Sequence, residues 1–141
     1  MLSEEVVEKV KEELTAFFGT ELASIVLYGS YAEGRESKYS DIDILVVVRR
    51  RFGDQRARRA CEVALRKMLY RSVGQVSPRV IGAAMMLATL RNFNPLFLNI
   101  LKQGIPLLDD GTFAEVKEEF QRMIEARIIE PREDYWVVAI T

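Results

Sequence analysis

Two aspartates, Asp41 and Asp43, stand at the head of DIDILVVV, one of the most apolar runs in the chain. An unpaired carboxylate in such surroundings is expensive to desolvate, so the pair needs a partner cation, an opening to solvent, or both. Successive strand side chains point to opposite faces, which puts Asp41 and Asp43 on one face and Ile42 and Ile44 on the other. Converging carboxylates either share a proton or hold a cation. Hard oxygen ligands with open coordination positions suit Mg2+ or Mn2+, completed by water and phosphate oxygens. Upstream, Gly29-Ser30 follows the apolar run SIVLY and opens a stretch long enough for only about one helical turn before Gly34. Backbone N–H groups and the Ser30 hydroxyl at such a turn make an anion site. A phosphate cradle beside a metal site is the set of parts for phosphoryl or nucleotidyl transfer, where catalysis is mostly positioning and charge neutralisation.

The elements that must position these residues follow from pattern. Ser3, followed by Glu4 and Glu5, reads as the N-cap of a helix whose apolar residues recur from Val6 to Phe18 and which Gly19 ends. Ser24–Tyr28 reads as a buried strand, RESKYS as polar loop, and Asp41 onward as a second strand. Gln55–Tyr70 shows a helical stripe of Ala57, Ala60, Cys61, Ala64, Leu65, Met68 and Leu69. A third strand is expected over Val76–Ile81, with Pro78 arguing for an edge position or a bulge. Pro95–Gly104 has Pro in its first turn and Gly at its end, and IPLLD then offers a short extended segment. Thr112 reads as the cap of a last helix that runs to about Glu130 and stops at Pro131, leaving the apolar tail Asp134–Thr141 to pair as an edge strand or to cover a partner. The order α-β-β-α-β-α-α predicts an α/β (α+β) fold, a small mixed sheet flanked by helices.

Composition narrows the function classes. The 141 residues carry no internal repeat or linker and are 49% hydrophobic, enough for one core, so a single domain over 1–141 is expected. A net charge of −1 gives no general pull toward nucleic acid or membrane. One cysteine, Cys61, excludes an internal disulfide framework, and the absence of histidine excludes Ser-His and Cys-His catalysis. The N-terminus is acidic and amphipathic, unlike a signal or transit peptide, and no apolar run reaches spanning length; a cytoplasmic location is expected. The run Arg49–Arg59 holds six arginines. It reads as a solvated helix start or a patch for an acidic partner; without an aromatic ladder it argues against nucleic acid. Cys61 reads as a small core residue. Tyr28, Tyr31 and Tyr39 flank the site, placed equally well for stacking on a base or for packing.

Taken singly, these residues have plainer readings. Asp41 can cap its loop and Asp43 can pair with an arginine such as Arg35, while Gly29-Ser30 can be an ordinary strand-to-helix turn. Together they resemble a known family. Gly29-Ser30, ten residues, then Asp41-Ile42-Asp43 is similar to the G-S-x10-D-x-D signature of the minimal nucleotidyltransferases of the DNA polymerase β superfamily. Ala32, Gly34 and Ser40 match the fuller pattern, and PLFLNILKQGIPLLDD resembles the family's closing helix and strand, so the resemblance spans about 22–110, with 112–141 as a C-terminal helix and tail. It implies a polymerase β-like fold, Mg2+ (or Mn2+) on Asp41 and Asp43 as catalytic and metal residues, and a nucleoside triphosphate, most simply ATP, at Gly29, Ser30, Gly34 and Ser40. Larger members place a third carboxylate on the following strand. Here the only acid between Asp54 and Asp109 is Glu62, in the middle of a predicted helix. The resemblance implies transfer of NMP to a hydroxyl of a protein or small molecule, and often a paired helical HEPN protein for which the domain serves as antitoxin. The alternative is a catalytically weak or inactive binding module that acts by complexing a partner protein. A homo-oligomer is left open.

Overall fold

LASIVLY is apolar at nearly every position, which suits a strand covered on both faces and paired on both edges. In the computed structural model, which describes residues 2–139, this segment is β1 (Leu22–Tyr28), and all seven residues are buried. It runs antiparallel to β2 (Ile42–Val48) on one side and to β4 (Ile105–Asp109) on the other. β2 pairs in turn, in parallel, with β3 (Val76–Gly82), giving a four-stranded mixed sheet in the order β3-β2-β1-β4.

The sheet separates two apolar layers. On one face lie α1 (Glu4–Phe18) and the crossover helix α3 (Gln55–Ser72), packing Val10, Leu14, Leu65 and Leu69 against Ile25 and Ile44. On the other, α4 (Met86–Arg91), α5 (Pro95–Gln103) and α6 (Thr112–Glu125) pack Leu90, Leu98, Phe113 and Phe120 against Val26 and Leu45. A short helix, α2 (Ser30–Glu33), joins β1 to the loop before β2. The tail forms a separate hairpin of β5 (Ile129–Pro131) and β6 (Trp136–Val138). This is the expected mixed sheet flanked by helices, and β3 occupies an edge as Pro78 required.

Several boundaries differ from expectation for identifiable reasons. β2 begins at Ile42, so Asp41 lies just outside the ladder. The buried stripe of α3 is narrower than its apolar pattern: Cys61, Leu65 and Leu69 are buried, whereas Ala57, Ala60 and Ala64 are exposed. The half-buried Glu62 takes that flank. Its carboxylate accepts the Val80 N–H at 2.8 Å and an Arg58 N–H at 2.6 Å, which fastens the outer edge of β3 to α3. Helix α4 has no counterpart in the predicted order; it is only six residues long and follows Gly82, the last residue of β3, after a single turn over Ala83–Met85. The last helix ends at Glu125 rather than near Glu130; Arg127 turns into the left-handed region (φ 59°) and sends Ile129 into the core. Pro131 therefore closes a strand and not a helix. The tail pairs as expected at Trp136–Val138, within its own hairpin; Ile140 and Thr141 lie outside the described residues.

Thr112 is the first residue of α6, and its capping role passes to Asp109. Asp109 Oδ1 accepts the Gly111 N–H (3.1 Å), the Phe113 N–H (3.0 Å) and the hydroxyl of fully buried Ser24 (2.8 Å), while Oδ2 accepts the Ala114 N–H (3.0 Å). One carboxylate thus ties β4, β1 and the start of α6. Asp109→Ala is expected to cost about 2 kcal/mol, read as a lower urea midpoint; a loss within error of zero would show that water replaces these bonds.

Candidate active site

Gly29 is where β1 stops being a strand. Its φ of 73° lies in the region that disfavours side chains, and it starts α2 with no side chain capping the first turn. The N–H groups of that turn therefore point outward uncapped. A second constraint acts on the same residue: a Cβ at position 29 would overlap the Asp43 carboxylate, with Asp43 Cγ only 3.2 Å away. The backbone of the Gly-Ser turn therefore lies directly against the acid. Gly34, which ends α2, also has positive φ (71°), yet a Cβ there would meet nothing within 4 Å.

Asp43 stands on β2 in register with Tyr28 of β1 and Ser77 of β3. Asp43 is half-buried and Asp41 exposed, so the pair has one carboxylate against protein and one in solvent. Burial raises the Asp43 pKa, the charge of Asp41 raises it further, and Arg79 and Arg66 offset part of this. The pair is short of cations. No ion pair to either acid occurs among the described residues; Arg35, the partner that a structural role for Asp43 would use, is paired with Glu33 at 3.1 Å. No cluster of three metal-ligating side chains occurs among the described residues. The donor set is two carboxylates, which fits an ion such as Mg2+ that keeps waters and takes its other ligands from phosphate.

Ser30 begins α2, half-buried, beside this acid. The remaining sequence candidates are placed differently. The Gly34 N–H donates to the Ser30 carbonyl, so Gly34 terminates the turn. Ser40 Oγ accepts the Ser37 N–H at 2.9 Å, so Ser40 shapes the loop that delivers Asp41. Tyr31 packs into the core, Tyr39 is exposed with the Lys38 ammonium 4.9 Å from its ring centre, and Cys61 is buried in the apolar layer.

Two residues were not singled out by pattern. Arg79 occupies the same face of β3 as Ser77, beside Leu45, and hydrogen-bonds to the Tyr28 hydroxyl, whose pKa burial pushes up. Ser77 Oγ accepts an N–H from Arg66 at 3.0 Å. The strand that follows the acid pair thus offers a hydroxyl and a guanidinium to the site and no carboxylate. Alternation along VSPRVIG is the signal that would have placed both on one face.

A mixed sheet with a Gly-Ser turn at the end of one strand and a carboxylate pair at the head of its neighbour is the architecture of a nucleotidyltransferase-type α/β protein. The chain belongs to the nucleotidyltransferase domain family, which its residues 7–82 match. A relative from Methanocaldococcus jannaschii, named as a protein adenylyltransferase, is 33% identical over 102 residues; these cover 70% of this chain and 63% of that protein, so the chain spans less than two thirds of its relative's length. Among solved structures, a chain of a toxin–antitoxin complex with AMP-PNP superposes with a TM-score of 0.56 at 20% identity, covering 89% of this chain and 90% of its own. A complex of tri-AMPylated Shewanella oneidensis HEPN toxin with MNT antitoxin gives 0.52 at 21% identity, covering 89% and 92%. The fold is that of the minimal nucleotidyltransferases.

Gly29→Ala is expected to cost more stability than Gly34→Ala. Backbone strain of about 1 to 2 kcal/mol applies to both, whereas displacement of Asp43 applies only at Gly29. Equal urea midpoints would contradict the close approach. An aspartate whose pKa is raised above the ordinary 3.8 carries a cost in the folded state when ionised. That cost is absent below 3.8, where the carboxyl is protonated in both states, and sets in as pH rises through the raised value. Asp43→Asn is therefore expected to raise the melting temperature of the metal-free protein at pH 7 and to leave it little changed at low pH. A fall at pH 7 would mean that Asp43 has a stabilising partner.

Proposed function

We propose that this protein, one domain over 1–141 working in the cytoplasm, is a Mg2+-dependent adenylyltransferase that moves AMP from ATP to a hydroxyl of a protein acceptor. The observation that carries this reading is the contact between the Gly-Ser turn and Asp43: a backbone anion site and a cation-deficient acid pair share one boundary. Asp41 and Asp43 are the residues that would hold the ion, with Mn2+ as a substitute. Bound there, the ion would neutralise phosphate charge that the carboxylates alone repel. The uncapped N–H groups at Gly29 and Ser30, with the Ser30 hydroxyl, would receive the terminal phosphates. Gly34 and Ser40 would serve the nucleotide indirectly, by fixing the turn and the loop. In the reaction the acceptor oxygen bonds to the α-phosphorus as the bond from that phosphorus to pyrophosphate breaks, and the hydroxyl proton leaves to solvent. The name of the M. jannaschii relative and the AMP-PNP in the toxin–antitoxin structure support adenylate as the transferred group, and the HEPN complex supports a helical HEPN-type partner as acceptor.

A second reading is favoured by β3, which presents Ser77 and Arg79 where the larger relatives carry a third carboxylate. A site without that acid fits a weakly active or inactive domain that works by complexing its partner. Calorimetric titration of Mg-ATP into the wild type and the Asp41→Asn/Asp43→Asn variant, with folding checked by circular dichroism, separates the two. Mg2+-dependent binding that the folded variant lacks supports the enzyme. A wild type that binds neither ATP nor another nucleoside triphosphate supports the binding module.

A further inference from the structure

From β1 through β2 to β3, the proposed phosphate turn, the acid pair and Arg79 follow one another across a single face of the sheet. In-line displacement at the α-phosphorus requires the attacking oxygen to enter opposite the departing pyrophosphate. With pyrophosphate leaving toward Gly29-Ser30 at the end of β1, the acceptor must enter from the side of β3. On that side, continuous with the same sheet face through Leu45 and Arg79, the structure has a groove of about 540 Å³. Its wall includes Leu45 and Phe97, and its rim carries Met85 (58% exposed) and Leu96 (37%). This size is in the range of ligand-binding clefts.

The charges lining the groove are not equivalent. Arg50 is neutralised by Glu21 at 2.8 Å, and Arg58 by Glu62 at 2.6 Å, with a further bond from Arg58 to the Val80 carbonyl. Arg51 and Arg79 are exposed, and neither forms an ion pair among the described residues. The one acid that lines the groove, Asp54, is occupied in capping α3, accepting the Ala57 N–H at 2.8 Å. Two guanidinium groups without an ion pair among the described residues, Arg51 and an Arg79 that shares its field with Asp43, thus overlook an aliphatic wall in a chain whose net charge is −1.

We propose that this groove docks the acceptor, and that the acceptor segment is an acidic polypeptide stretch with an apolar side chain: its carboxylates meet Arg51 and Arg79, and its apolar side chain sits among Met85, Leu96 and Phe97. The proposal rests on the adenylyltransferase reading for the direction of entry, and on the groove alone for the chemistry of the occupant. A nucleic acid fits less well, because the groove's two aromatic rings, Phe97 and Phe52, are buried and half-buried, and the exposed apolar side chains at its rim, Met85 and Leu96, offer no ring for a base to stack on.

Fluorescence anisotropy with labelled random copolymers tests the groove without the natural acceptor. A glutamate–tyrosine copolymer is expected to bind the wild type, and to bind the Asp41→Asn/Asp43→Asn variant at least as tightly, since that variant removes the acid whose field Arg79 shares. Arg51→Glu/Arg79→Glu is expected to weaken that binding about tenfold or more, and Leu96→Glu, which keeps both arginines, is expected to weaken it as well. Polyglutamate, lacking apolar side chains, should bind less tightly, and a lysine–tyrosine copolymer and oligo-deoxythymidylate more weakly still. All variants are checked for folding by circular dichroism. Undiminished binding by the folded Arg51→Glu/Arg79→Glu variant, no binding by the wild type, or a preference for the oligonucleotide overturns the proposal. Because this readout survives loss of the Asp pair, failure of Mg-ATP binding alongside a positive copolymer result would remove the nucleotidyl-transfer reading and leave the groove standing.

Discussion

Two like charges at the mouth of a buried strand are the constraint on which the site depends. Ile42, Ile44 and the rest of β2 are drawn inward by apolar layers on both faces, so the position of Asp43 is fixed by burial that has nothing to do with its charge. Asp41 cannot relieve it, since the second carboxylate only raises the energy of ionising the first. Gly29 closes the remaining side, with a positive φ and no room for a Cβ. The result is a half-buried acid whose carboxylate lies against the backbone of the Gly-Ser turn. Such a site is destabilising in isolation and becomes favourable when a cation arrives.

The rest of the fold keeps those two strand ends still. β1 is paired on both edges and covered on both faces, which removes the freedom that a strand terminus ordinarily has. β3 is the weak point, an edge strand interrupted by Pro78, and here α3 contributes a side chain as well as packing: Glu62 takes the outward Val80 N–H, and an edge donor already satisfied is not open to pairing with another chain. Asp109 does comparable work at the opposite edge, joining Ser24 of β1 to the start of α6. The only acid between Asp54 and Asp109 is thus committed to holding the strand beside the site, which is the physical reason that it is not available as a third carboxylate.

What was legible in the sequence was local in spacing. A pair two residues apart on a strand, and a Gly-Ser at a fixed distance before it, depend only on periodicity and turn chemistry, and the mixed sheet with helices on its faces followed from the same patterns. The end of α6 was not legible, because Ile128 and Ile129 continue a helical apolar pattern until Arg127 adopts a left-handed conformation that only the burial of Ile129 justifies. Thr112 reads as the cap of α6 because a hydroxyl before an apolar run is the ordinary signal. The carboxylate that does the capping sits at the end of a strand and reaches forward to Ala114. Arg79 is not legible, because one arginine in a short edge strand looks like surface, and its meaning lies in its register with Leu45 on the neighbouring strand.

The arginines show how far sequence and structure diverge in what charge means. As a run, Arg49 to Arg59 reads as one basic surface. In the fold it divides: Arg49 bonds the carbonyls of Thr20 and Leu22 and pairs with Asp110, Arg50 pairs with Glu21, and Arg58 with Glu62, so these three tie segments together and contribute little net field. Arg51 keeps its charge, and the guanidinium that joins it at the groove, Arg79, comes from another strand entirely. Electrostatic sign then alternates across the sheet, from the N–H groups of the Gly-Ser turn, to the carboxylates at the head of β2, to the guanidinium group of Arg79 on β3. Opposite charges placed in that order would give each group of the proposed reaction its own position, because bare carboxylates repel a phosphate and guanidinium groups repel a cation.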